Sequence, residues 1–223
     1  MSDKFQDIIA VIIKELFSHP SQPAAFNEKQ KLRPMKAQDI KTAYEQGKRD
    51  FSYIELSHDE ANDTLSQLDL SDIIFCGSKL QGINLNRSNL TGANLSCANL
   101  SYAVLSNAIL ERSNCAQTQL SQANLRHVYG LGVNFFAANL RGANLSMGDF
   151  EQANFSEADL SSTDLSWANL NSTNLNRTNL YDVNLSWADL EASNPERAYT
   201  RNTTWDKSRF PWGRYLVWTK MRP

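Results

Sequence analysis

The chain has little of what catalytic proteins usually rely on. It has three cysteines and three histidines among 223 residues. Cys76, Cys97 and Cys115 are an odd number with no metal-like pairing, which argues against a disulfide framework. His19, His58 and His127 are too few and too scattered for a metal cluster or a catalytic triad. There is no P-loop, no GxGxxG after a buried strand and no CxxC. No apolar run approaches the ~20 residues of a membrane span. The opening MSDKFQDIIAVIIKELF carries acids and is followed by no small-residue cleavage site, so a secretory signal is not expected. These absences lead to an expectation of a non-enzymatic, cytoplasmic chain with no cofactor and no metal.

Charge is also scarce in any one sign. Lys and Arg total 22 against 24 Asp and Glu, but the distribution is uneven. Residues 61–194 carry 12 acids and 6 bases, whereas 195–223 carry 2 acids and 7 bases. The body is mildly acidic and the tail basic.

What the chain does have is a repeat. Of the 26 residues at five-residue steps from Leu65 to Leu190, 24 are Leu or Phe, the exceptions being Cys115 and Gly130. Two places before each central residue from Phe75 onward stands a small or β-branched one, such as Ala93, Ala138, Thr173 or Val183. One place before stands mostly Asn or Asp, as in Asn94, Asn144, Asp159 and Asp164. The unit is A-(N/D)-L-x-x. A period of five fits neither a helix, where it would scatter the leucines, nor a continuous strand, where it would send alternate leucines to opposite faces. A very short strand followed by a turn resolves the conflict. The small residue and the leucine then both point inward, and Asn or Asp stabilises the turn. Gly77, Gly82, Gly92, Gly132 and Gly142 recur at the second x, a turn position.

Segments such as GANLSCANLSYAVL and EADLSSTDLSWANLNSTNL strongly resemble the pentapeptide-repeat family, and IKTAYEQGKRDFSYIELS resembles the lead-in of many cyanobacterial members. The resemblance implies a mainly β fold, a right-handed quadrilateral β-helix with four units per 20-residue coil and a helix covering the first coil. Phe51 would begin the winding. Three regions follow: an N-terminal helical cap and lead-in over 1–60, the β-helix over 61–194, and a C-terminal aromatic and basic cap over 195–223. At ~4.8 Å per coil the repeat would make a rod roughly 30 Å long.

Stacking at 20-residue steps predicts an interior that includes Leu85, Leu105, Cys115, Phe135, Leu140, Phe150, Phe155 and Leu165. Phe150 stands above the gap left by Gly130, and Phe135 above the undersized Cys115, so large beside small keeps the interior filled. Cys76 and Cys97 would lie diagonally on adjacent coils, read as a chance pair or a redox switch.

At the ends, residues 1–18 have the spacing of an amphipathic helix that His19-Pro20 stops. A polar link over 27–34 and a second helix over about 37–46 follow. The residues before 35 are an extra cap, a dimer contact or a docking helix. The tail, with Tyr199, Trp205, Phe210, Trp212, Tyr215 and Trp218, is either a cap or a basic-aromatic partner surface.

Function then falls to the outward x positions. The second-x column Gln67, Arg87, Asn107, His127, Met147, Trp167, Trp187 ends in an aromatic ladder, which is either covered by the tail or a partner site. Leu131 and Phe136, flanked by Arg126, Tyr129 and Arg141, form either a local bulge or a recognition surface. The leading expectation is a monomeric or homodimeric scaffold for a protein partner of unknown identity. A second reading is gyrase protection by DNA mimicry, which the resemblance to fluoroquinolone-resistance members raises. The modest charge argues against it, since a duplex carries one charge per ~1.7 Å. The third is membrane or nucleic-acid association through the tail, the less expected partners.

Overall fold

The computed structural model describes residues 31–57 and 64–210. Every described residue belongs to one compact unit that begins at Lys31. The helix expected over 1–18 and the aromatics Trp212, Tyr215 and Trp218 lie outside the described residues.

The winding follows from where the backbone N–H groups go. In the unit 94–98, Asn94 donates to the Ile73 carbonyl of the coil before, while Leu95 and Cys97 donate to Asn114 and Ala116 of the coil after. Ala98 closes the turn by donating to the Leu95 carbonyl. Ser96 alone has no carbonyl to face, and its N–H donates to Asn94 Oδ1 at 3.1 Å. All five donors are thus satisfied, as buried backbone requires. The same Asn or Asp bond recurs in units from Asp69 to Asn194. The short strand expected in each unit is reduced to a single bridging residue. Parallel bridges 20 residues apart run without slip from Thr64↔Asn84 to Asp189↔Arg209.

The corners hold a feature that the glycines only hinted at. Every described second x from Gln67 to Lys207 has a positive φ, whether it is Gly, Trp, Arg, Met or Asp. A non-glycine residue there costs on the order of 1 kcal/mol. The offset is its N–H, which points along the axis and donates to the next coil, as Trp167 does to the Ser186 carbonyl at 3.0 Å.

Inside, the central residue and the one two before it form the core. Leu85, Leu105, Cys115, Phe135, Leu140, Phe150, Phe155 and Leu165 are at most 1% exposed. Thr118 and Thr178, at the small-residue position, remain buried because their hydroxyls donate to the Leu95 and Phe155 carbonyls. Phe135, Phe150 and Phe155 form one aromatic cluster, with 135 and 155 stacked at 5.2 Å and 150 edge-on to both. Phe150 fills space left by two glycines. A Cβ on Gly130 would meet its ring at 2.9 Å, and one on Gly148 would fall inside contact distance of it.

The lead-in is more elaborate than a polar link and a helix. Arg33–Met35 (β1) pairs in parallel with Ile54–Leu56 (β2). Between them, Ala37–Glu45 (α1) buries Ala37 and Ile40. Gly47, at φ 93°, ends it by donating to the Tyr44 carbonyl. Tyr44 ties α1 to the winding through its hydroxyl, which donates to the Ser71 carbonyl at 2.8 Å. Phe51 is fully buried 5.9 Å from Phe75, and here the bridges Asp50↔Ile74 and Glu55↔Lys79 step by 24. The first coil therefore carries four extra residues.

At the other end the winding does not stop at 194. Tyr199, Thr204 and Arg209 continue the bridges, with Ala198, Thr203 and Ser208 at the small-residue position. Central slots pass to Pro195, Thr200, Trp205 and Phe210, so the leucine signature is lost while the geometry persists. Pro195 lacks the N–H that the central leucines donate to the following coil, and the signature fades from that residue on.

Two stability tests follow. Leu140→Asp should cost several kcal/mol, because it places an unpaired charge in the interior, and urea unfolding should reveal it. Parental behaviour of that variant would mean Leu140 is not interior. Gly148→Ala should destabilise by about 1–3 kcal/mol through overpacking against Phe150, and Phe150→Leu should relieve most of that loss in the double mutant.

Candidate docking edge

Each corner of the coil carries two outward residues, and the repeat constrains neither chemically. On the corner following Leu165 and Leu185 the second of these is Trp167, then Trp187. Their rings stack face to face, 4.6 Å between centroids and 5° from parallel. The 20-residue register enforces this, since coil spacing and ring stacking distance nearly coincide. The two remain 54% and 43% exposed. Met147, at 42%, precedes them in the column, and Arg126 places a guanidinium nitrogen 3.5 Å from its sulfur. His127 occupies the same column one coil earlier and is half-buried.

Lys207 follows Trp187, and its ammonium sits 4.3 Å from the centre of the Trp187 ring. The sequence reading missed it because the repeat was taken to end at 194. One further 20-residue step beyond Trp187 would have found it. Of the tail, residues 195–210 continue the winding rather than fold back across the ladder.

Leu131 and Phe136 do not join this site. They are half-buried on the next two corners, a quarter and a half turn away around the coil. The bulge reading of this segment is also corrected. Bridges Ile109↔Tyr129, Tyr129↔Asp149 and Asn114↔Asn134 pass through it in register, because Gly130 donates to Asp149 as any central residue would.

A second aromatic pair went unnoticed in the sequence. Tyr181 and Tyr199 stack at 6.2 Å and border a shallow groove of about 380 Å³ with Arg141, Asp159, Ser161, Ser162 and Asn179. Tyr199 lies 20 residues after Asn179, so the same column rule could have placed it.

The cysteines are free. Burial pushes the Cys115 thiol up to about 12. Cys97 is raised by burial first and by Cys76 second. Cys76 accepts from Ser96 Oγ at 3.4 Å, while Cys97 Sγ lies 3.4 Å from Gln117 Oε1. Among the described residues no group of three His, Cys, Asp or Glu is placed to hold a metal ion. No helix among them is long and apolar enough to cross a membrane.

A stack of interchangeable five-residue units around a leucine interior, with chemistry confined to its corners, defines a solenoid of the β-helix class. The Pentapeptide repeats family matches in 8 copies over residues 69–101, 93–127, 134–171 and 158–194, more than half of the chain. The chain belongs to that family, whose members form right-handed β-helices.

Solved structures similar to it include full-length QnrB1, a plasmid-mediated fluoroquinolone resistance protein. That likeness is 13% identical, covers 77% of this chain and 95% of that one, and has a TM-score of 0.36. HetL, involved in heterocyst differentiation regulation in the cyanobacterium Nostoc sp. strain PCC 7120, is 24% identical over 80% of this chain and 98% of its own, with a TM-score of 0.22. Rfr23 of the cyanobacterium Cyanothece 51142 is 22% identical over 66% and 91%, with a TM-score of 0.29. No curated protein matches the chain.

Thiol reactivity checks the interior. At pH 8 in native buffer, Cys115 should resist a thiol-titrating reagent and react only on unfolding, because the thiolate is the reactive form. Native labelling of Cys115, mapped by mass spectrometry, would contradict its burial.

Proposed function

We propose that this protein is a non-enzymatic interaction scaffold of the cytoplasm that captures a protein partner on the Met147–Trp167–Trp187 edge. The observation that carries the reading is a pair of tryptophans held rigidly parallel yet about half exposed, on a surface whose other columns are mostly polar. Exposed, preorganised aromatics supply contact area with little ordering cost, which is why they concentrate binding energy in interfaces. The winding holds their backbones on both sides, so the partner meets a fixed surface.

On this reading α1 acts as the cap of the first coil, supported by its buried Ala37 and Ile40 and the Tyr44 tie. Leu131 and Phe136, on other corners, would serve separate contacts. Gyrase protection is disfavoured by a repeat segment with only six more acids than bases.

Affinity capture with the double variant Trp167→Ser/Trp187→Ser provides the test. Capture of the partner should fall at least tenfold while thermal unfolding stays near that of the parent, because the substituted residues lie outside the core. Undiminished capture would remove this edge from the reading. A gyrase supercoiling assay altered by the purified protein would favour the protector instead.

A further inference from the structure

Resting on that reading of the edge, we infer that the segment docking on it is an acidic peptide with an apolar centre. Stacking hides ring faces and presents ring edges. Aromatic rings carry negative faces and positive edges, and the indole nitrogen is a donor only. Trp167 covers one face of Trp187 and Lys207 lies over that ring from the following coil. What Trp187 presents toward solvent is therefore its electropositive rim, while Trp167 keeps one face turned toward the Met147 side.

The flanking charges have the same sign. Arg126 borders the column on the Met147 side and Lys207 on the Trp187 side, and neither forms an ion pair with a described carboxylate. Along this corner's outward positions from Ser66 to Lys207 the cations are Arg87, Arg126 and Lys207, against the single carboxylate of Asp206. The following corner has the opposite character, with Asp72, Glu111, Glu151 and Glu191 against Arg112. Cations thus outnumber carboxylates at the outward positions of this corner, and the flanking Asp149, Asp164 and Asp189 are already engaged by backbone N–H groups and by Asn169, Asn184 and Arg209.

Spacing then sets the ligand's pattern. Four coils separate Arg126 from Lys207, about 19 Å at ~4.8 Å per coil, and an extended chain spans that in about six residues. Carboxylates at both ends would meet the two cations, and apolar side chains between them would meet Met147 and the indoles. Nucleic acid fits poorly. Its bases stack on ring faces, and both faces of Trp187 and one of Trp167 are occupied here, while its evenly spaced phosphates would find cations only at the two ends.

The probe is the fluorescein-labelled peptide EELFLEE, titrated with the full chain at low ionic strength and followed by polarisation. Its counterparts KKLFLKK and EESGSEE should each bind at least about fivefold more weakly. The charge-reversal pair Arg126→Glu/Lys207→Glu should weaken EELFLEE about tenfold or more, and added salt should weaken the parent complex. Equal binding of KKLFLKK, or no loss in the charge-reversal pair, would overturn the inference. So would binding of single-stranded oligothymidine or phosphatidylserine vesicles in place of the peptide.

The two readings fail differently. If Trp167→Ser/Trp187→Ser loses its cellular partner but the parent ignores EELFLEE, the acidic ligand is refuted and the docking edge stands. If that double variant binds EELFLEE as the parent does, the edge itself is refuted.

Discussion

Satisfying the backbone donors of each corner governs this structure. Along each coil the N–H after the central leucine faces neither neighbouring coil, and an unpaired buried N–H is costly. An Asn or Asp two residues earlier takes that proton, as Asn94 does for Ser96 and Asp164 for Ser166. The bond turns the chain through a corner and resets the inward direction, so the next small residue and leucine again face the core. Units led by Ile74, Val104, Ile109 and Tyr129 keep the five-residue period without it, held in register by the backbone bonds between coils. Four such corners close a coil, and the closed coil puts every bridging residue 20 positions from its partner. Where Asn or Asp is missing, another acceptor can substitute, as Thr64 does for Ser66.

The same corner explains what the sequence revealed and what it concealed. Leucine periodicity exposed the interior because burial tolerates few alternatives. Pairing Gly130 with Phe150 and Cys115 with Phe135 could be read because volume must be conserved along a column. Left-handed geometry at residues such as Arg87 and Trp187 was hidden, since only the glycines advertise it. The bond from each of these N–H groups to the following coil offsets the strain, which leaves the side chain unconstrained. Positive φ at Trp167 and Trp187 is accordingly no sign of a special site, because every described corner from Gln67 to Lys207 shares it.

The ends and the site composition were harder to read for a related reason. Bridging is a backbone property, so the winding persists through Tyr199, Thr204 and Arg209 after leucine gives way to Pro195, Thr200 and Trp205. A reading tied to the side-chain signature stops at 194 and therefore misses that Lys207 continues the Trp167–Trp187 column and that Tyr199, bridged to Asn179, comes to lie against Tyr181. Leu131 and Phe136 were grouped with each other by closeness along the chain. In a coil that turns a quarter every five residues, neighbours in sequence belong to different surfaces, and neighbours in space are 20 apart.

That inversion of distance is also why a solenoid suits recognition. A surface built from residues 147, 167, 187 and 207 can change one rung at a time, because each outward side chain touches mainly the rungs before and after it. Backbone spacing near 4.8 Å brings aromatic rings on consecutive rungs to stacking distance without any further scaffolding. Once two tryptophans occupy such rungs, each restricts the other's rotamers, so ordering entropy has been spent in folding and not at the moment of binding. The backbone bonds between coils that hold the register thereby fix the pitch of the binding edge, and a partner that matches the edge must match that pitch.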